Sequence, residues 1–215
     1  MQTIVVANPK GGSGKTTVAT NVAGWLAGKR QRVGLADEDP QRSASEWLVR
    51  RPALFPKVVA LPADGGKKAC KDAELQWRVV DTAAGLHGEA LRDAVHEADV
   101  MLVPLAPSVF DMAATAHFLE SIAHYKAVKE GKLALGLVAM RVDPRTISAG
   151  ELDDFLKHLD FPLVAHLRDT QVYVHCARDG ATVFDLPRSR AEQDWEQWKP
   201  LTRWVAKHNQ VTGNR

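Results

Sequence analysis

The stretch Lys10-Gly11-Gly12-Ser13-Gly14-Lys15-Thr16-Thr17 decides how the rest of the chain is read. Before it, TIVVA over 3–7 is a short β-branched run of the kind that forms a buried strand, and Asn8-Pro9 ends it. After it, residues 16–28 put Val18, Val22, Trp25 and Leu26 on one face and close on glycine, which predicts a helix. Strand, glycine-rich loop and helix in that order make an anion cradle. Backbone N–H groups of Gly11, Gly12, Ser13 and Gly14 can curl toward a negative charge, and the helix adds the positive end of its dipole. Lys15 then reaches the β- and γ-phosphates of a nucleotide, while the Thr16 hydroxyl, with Thr17 beside it, suits Mg²⁺.

Outward from this loop the chain alternates. Further strands are predicted at 32–36, 57–61, 77–80, 100–103, 133–140 and 163–167, and helices at 43–50, 91–98, 111–129, 150–159 and 191–207. The long helix at 111–129 has Ser108 or Asp111 as its cap. Residues 62–72, with Gly65-Gly66 and three lysines, read as a loop or a weak helix. The run 133–140 is apolar nearly throughout, as a strand covered on both faces would be. Trp195, Trp198, Leu201, Trp204 and Val205 recur at helical spacing, an aromatic stripe that packs on a sheet. Alternation of this kind implies right-handed crossovers and an α/β fold: a mostly parallel twisted sheet with helices on both faces.

Composition narrows the function classes. At 215 residues the chain reads as one domain spanning 1–215, long enough to bury about 70% of its unfolded surface. Hydrophobic residues at 45% and charged residues at 25% exclude a wholly disordered chain. A formal net charge of +2, not segregated between the halves, confines any nucleic-acid surface to a local patch. Cys70 and Cys176 form no CxxC pair and suit a reducing cytoplasm. No signal peptide is visible, and no apolar run approaches the length of a membrane span.

Two carboxylate segments follow the loop. In Asp37-Glu38-Asp39-Pro40-Gln41, Asp37 and Asp39 are two apart at a strand end and so point the same way, toward the loops. Such groups order metal-bound water or orient a water for in-line attack. Val79-Val80-Asp81-Thr82-Ala83-Ala84-Gly85 ends a second strand on Asp81, a carboxylate placed to hold Mg²⁺ through its water shell.

Together these segments resemble the ParA/MinD class of P-loop ATPases, whose deviant Walker A motif is K-G-G-x-G-K-[ST]. The resemblance implies ATP and Mg²⁺ as ligands. It also implies that Lys10 crosses an ATP-sandwich homodimer to touch the partner subunit's phosphates. By the same resemblance Asp39 is the water-activating residue of switch I, Asp37 supports the metal shell, and Asp81 is the Walker B carboxylate preceding switch II. Many relatives carry Pro-Pro where Ala83-Ala84 stand, a change that loosens the loop and removes no ligand. The likeness continues through Pro107-Ser108-Val109-Phe110-Asp111, Val142-Asp143-Pro144-Arg145-Thr146 and Arg168-Asp169. Because the first strand starts within a few residues, the match is to the short class without a helix-turn-helix extension. Relatives often place an adenine-contacting Asn where Met140 stands. Methionine can pack on a purine but cannot hydrogen-bond its edge.

What hydrolysis would serve is a separate question. The family reading favours a positioning ATPase, cytoplasmic and nucleoid-associated, that as an ATP dimer binds double-stranded DNA non-specifically. A cargo adaptor protein then stimulates hydrolysis. The cargo itself (plasmid, chromosome, or a protein organelle such as the carboxysome, as in the McdA type) is not encoded in the motifs. Candidate phosphate contacts are Arg145, Arg168, Arg178, Arg188, Arg190 and Arg203, with Arg168 and Arg203 first because apolar neighbours can hold their stems. The alternatives are a MinD-like membrane cycle and a metabolic P-loop enzyme. Glu192, Asp194 and Glu196 on the last helix would repel anionic lipid, and the tail after Val205 has few apolar residues to insert, so no membrane partner is expected.

Overall fold

Alternation along the first strand sets up two cores. Ile4 and Val6 join one buried cluster, while Val5 and Ala7 join a second on the opposite face of the sheet. The computed structural model describes residues 1–62 and 67–208. The strands are β1 (Gln2–Val6), β2 (Val33–Asp37), β3 (Val58–Leu61), β4 (Trp77–Asp81), β5 (Val100–Leu105), β6 (Ala134–Val142) and β7 (Leu163–Arg168). They lie in the order β3-β2-β4-β1-β5-β6-β7, and every adjacent pair is parallel. The α/β expectation therefore holds in a stricter form, with no antiparallel strand among the described residues.

The helices are α1 (Lys15–Gly28), α2 (Ser43–Arg50), α3 (Lys67–Asp72), α4 (Gly88–Glu97), α5 (Val109–Ala123), α6 (Lys126–Lys129), α7 (Ile147–Lys157), α8 (Gln171–Asp179) and α9 (Arg188–His208). A 3-10 turn, Val183–Asp185, joins the last two. One face of the sheet is covered by α1, α2, α8 and α9, and the other by α4, α5, α6 and α7. Both β1 neighbours, β4 and β5, are reached by crossovers, so the loop after β1 opens between strand ends. Ligands of open α/β sheets bind at that kind of switch point.

The tryptophan stripe packs as expected. Trp198 is fully buried, its indole N–H donating to the Tyr173 hydroxyl at 3.0 Å, and Trp195 donates to the Val183 carbonyl at 2.8 Å. Satisfying the indole N–H lets these rings contribute their apolar area without stranding a donor. The chain around α5 departs from expectation. The helix predicted over 111–129 breaks after Ala123, because Tyr125 turns to extended backbone at ψ 139 before α6 resumes. Half-buried Tyr125 packs on the second core there, so packing overrides helical periodicity. Ser108 occupies the N-cap position but its side chain makes no capping bond.

Helix α8 lies where no helix was predicted. Its Val172-Tyr173-Val174 run masks helical character, yet Thr170 caps it through the Val172 N–H and Gly180 ends it in left-handed geometry. The segment 62–72, expected as a loop or a weak helix, forms a short helix from Lys67; its residues 63–66 lie outside the described residues, and so do residues 209–215 of the tail.

Gly180 is required twice over. Its φ is +64, and a Cβ there would lie 2.4 Å from the Arg50 carbonyl carbon and the Arg51 nitrogen. Gly180→Ala should therefore cost about 2 kcal/mol or more through combined strain and overpacking. Urea denaturation checks this; an unchanged midpoint would contradict the packing described.

Candidate functional site

Parallel register brings the separate carboxylate segments to one place. Asp81 pairs with Val6 across β1–β4 and with Asp37 across β2–β4, so the three strand ends stand level. The loop 10–14 leaves β1 at that level and turns into α1, with Gly14 as N-cap at φ 101. Only glycine adopts that backbone readily. The cavity at this edge has a volume of about 540 Å³ and is lined by Gly11, Gly12, Gly14, Lys15, Thr16 and Thr17 with Asp39, Ser43 and the 83–84 pair. Its size falls within the usual range of small-molecule sites.

Of these lining residues, Thr16 donates its hydroxyl to Asp81 Oδ2 at 2.7 Å. Asp81 is fully buried, and its Oδ1 has no hydrogen-bond partner. Burial pushes the Asp81 carboxyl up to about 7, and the nearby Asp37 and Asp39 charges add to the effect against Thr16 and Lys15. Burial likewise lowers the Lys15 ammonium, opposed by Asp81 and Asp39. The Lys15 Nζ donates to the Lys10 carbonyl at 3.0 Å, and the Lys10 N–H donates to Asn8 Oδ1 at 2.8 Å. Lys10 is thus pinned by its backbone, and the residue is half-buried. The buried Ser13 Oγ has no partner.

Asp37 does more than sequence alone indicated. Its Oδ2 accepts the Ser45 N–H at 2.7 Å and its Oδ1 the Asp39 N–H at 3.2 Å, so it ties the 37–45 loop to the start of α2. Asp39 is half-buried, with Oδ1 accepting the Gln41 N–H at 2.9 Å. Glu38, between them, turns the other way to Arg78 at 3.6 Å, and Arg78 also binds Glu97 at the end of α4. The Gly85 N–H donates to the Pro9 carbonyl at 2.8 Å, joining the two glycine-containing loops.

Several supporting residues were missed from sequence. Asn8 is buried and saturated, its amide also donating to the Pro104 carbonyl and to Thr115 Oγ1. Arg141 reaches the Gly12 carbonyl. The Asn8-Pro9 punctuation was readable, but its partners are remote in sequence and no local pattern points to them. Met140 is buried against Gly14, so it supports the loop from within the core.

The candidate arginines lie away from this cavity. Arg168 binds both oxygens of the fully buried Asp194 at 2.8 and 3.0 Å. Arg145 pairs with Asp143, Arg178 with Asp179, and Arg188 lies over the Trp195 ring; Arg190 and Arg203 are exposed.

Residues 4–182 match the CobQ/CobB/MinD/ParA nucleotide binding domain family. The chain is 31% identical over 202 residues to the maintenance of carboxysome distribution protein A of Halothiobacillus neapolitanus, covering 89% of this chain and 91% of that one. In fold it is similar to apo McdA of Cyanothece, with TM-score 0.71, 17% identity and coverage of 93% and 98%. It is also similar to MinD in the MinC:MinD cell division complex of Aquifex aeolicus, with TM-score 0.70, 20% identity and coverage of 89% and 92%.

Two outcomes follow from the burial. An aspartate in an unfolded chain titrates near ~3.9, so an Asp81 that holds its proton to about pH 7 weakens the fold as pH rises through that interval. In protein free of nucleotide, Asp81→Asn should raise the melting temperature at pH 8, and by less at pH 5. A lower melting temperature at pH 8 would contradict the burial argument. Arg168→Ala strands the Asp194 carboxylate and should cost about 3 kcal/mol by chemical denaturation, against a much smaller loss for the double variant with Asp194→Asn.

Proposed function

The chain belongs to the CobQ/CobB/MinD/ParA nucleotide-binding family, and on that footing we propose that it is a ParA-type positioning ATPase that hydrolyses ATP to ADP and phosphate with Mg²⁺. The observation that carries this reading is the hydrogen bond to buried Asp81 from Thr16, which lines one cavity with Lys15. The donor set fits the ligands. Buried Asp81 Oδ1 and Ser13 Oγ have no partner in the protein, and the loop N–H groups and Lys15 supply positive charge for phosphate. Thr16 and Asp81 would hold Mg²⁺, with Asp37 supporting the shell; the ion when bound neutralises charge on the β- and γ-phosphates. Asp39, at the cavity edge, orients a water in line with the γ-phosphorus. The bond to the β–γ bridging oxygen breaks, and ADP and phosphate result.

The wider cycle is a proposal on the same basis. Two ATP-bound copies face each other, and each Lys10 reaches the partner subunit's nucleotide. The dimer then binds double-stranded DNA without sequence preference, in the cytoplasm and on the nucleoid, and an adaptor protein triggers hydrolysis. Paired arginine patches would make weak single contacts strong through effective concentration. Likeness to a carboxysome distribution protein makes a protein organelle the first cargo to test. Among the described residues no helix is long and apolar enough to cross a membrane.

Lys15→Ala should lose ATP binding in calorimetry, and unchanged affinity would refute the phosphate site. Lys10→Ala should bind ATP yet stay monomeric by light scattering, whereas Asp39→Ala should accumulate an ATP dimer that hydrolyses poorly. For DNA, Arg203→Ala should weaken random duplex uniformly and lower the salt slope by about one per contact removed, read by fluorescence anisotropy. Arg203 gives a cleaner test than Arg168, whose loss also strands Asp194. Liposome sedimentation of the same ATP-bound sample without DNA binding would favour a membrane cycle instead.

A further inference from the structure

Strand β6 carries an irregularity beside the phosphate loop. Ala139 pairs with His166 and Val142 with Arg168, so three steps along β6 oppose two along β7. The extra residue makes a bulge at Met140-Arg141, and Arg141 adopts left-handed backbone at φ 53. That conformation strains a residue with a Cβ, and such strain persists where the surroundings enforce it, often at functional sites.

The two bulge side chains grip the same loop at different points. Met140 packs so closely on Gly14 that a Cβ there would lie 2.8 Å from Met140 Cε. Arg141 is exposed, and its Nη2 donates to the Gly12 carbonyl at 2.8 Å. That carbonyl shares one peptide unit with the Ser13 N–H. The unit is planar and trans, so the N–H points away from the guanidinium. A hydrogen bond at the carbonyl therefore fixes the plane and polarises the N–H together.

We propose that Arg141 is a positioning residue that orients the Gly12–Ser13 peptide so that its N–H donates to the α/β-phosphates of the nucleotide. This rests on the phosphate-site reading given above. The readiness of the loop then depends on a bulge more than a hundred residues away in sequence. ADP and ATP both carry the phosphates concerned, so the contribution of Arg141 does not depend on the γ-phosphate. Lys10 differs in that respect, since its proposed contact is made only in the ATP dimer.

Three variants separate positioning from bracing. Arg141→Ala removes the guanidinium and keeps the strained backbone, Arg141→Gly removes both, and Arg141→Lys keeps a cationic donor. In calorimetry with Mg²⁺ and either ADP or ATP, the alanine and glycine variants should bind both nucleotides about tenfold more weakly, and lysine should recover part of the loss. Without nucleotide, the glycine variant should melt no lower than the wild type, because relief of the left-handed strain offsets the lost hydrogen bond. Affinities within about twofold of wild type would overturn the inference. A glycine variant that melts well below wild type would overturn it too, since the arginine would then be holding the fold. A wild-type protein that binds neither nucleotide would refute the phosphate site itself, and this inference with it.

Discussion

The register that sets Val6, Asp37 and Asp81 level across β1, β2 and β4 governs the whole nucleotide edge. Parallel pairing sends every strand end, and every loop that follows, to the same side. It also buries Asp81 beside Asp37, two carboxylates at the ends of adjacent strands, which elementary electrostatics disfavours. The protein offsets this locally. Thr16 donates to one oxygen of Asp81, Lys15 lies within electrostatic reach, and each Asp37 oxygen accepts one backbone N–H. What remains without a partner is Asp81 Oδ1, a buried carboxylate oxygen that a cation would satisfy. Stability and function pull in opposite directions at this residue.

Polar and ionic links spread outward from that edge. Asp37 holds the start of α2, and at the far end of α2 the Arg51 guanidinium is nearly buried against Asp185 at 2.9 Å and stacked over Trp47 and Phe55. Arg78, also buried, ties Glu38 to Glu97. The Arg51–Asp185 pair is buried on both sides, so removing one member costs far more than the pair contributes and the link acts mainly to fix geometry. The loop bearing Asp39 is consequently held from both sides.

Much of this was legible in the sequence, for reasons that differ by element. The phosphate loop was readable because its chemistry is contiguous: strand, glycines, lysine and hydroxyl follow one another within a few residues. Helix α2 was placed to the residue, although Arg42 at its N-cap makes no side-chain capping bond. Helix α8 was missed because β-branched and aromatic residues obscured the Thr170 and Gly180 boundary signals. The break at Tyr125 is a packing effect, invisible to periodicity. Asn8, Arg78 and Arg141 act through partners many residues away, and a single sequence carries no record of such pairings. The ion pair between Arg168 and buried Asp194 belongs to the same group: each was visible as a charge, and neither as a partner.

The central claim is that residues 10–17 and 81–85 form one nucleotide phosphate site. Backbone amide NMR of the protein titrated with ATP and Mg²⁺ tests it most directly, since each loop N–H reports for itself. The account predicts the largest shift changes at Gly12 to Thr17, with a second set at Asp81 to Gly85, and little change at Asn21, Trp47, Tyr173 and Cys176, which line the far part of an adjoining cavity between α1, α2 and α8. Shift changes concentrated at that cavity, with the glycine loop unmoved, would contradict it.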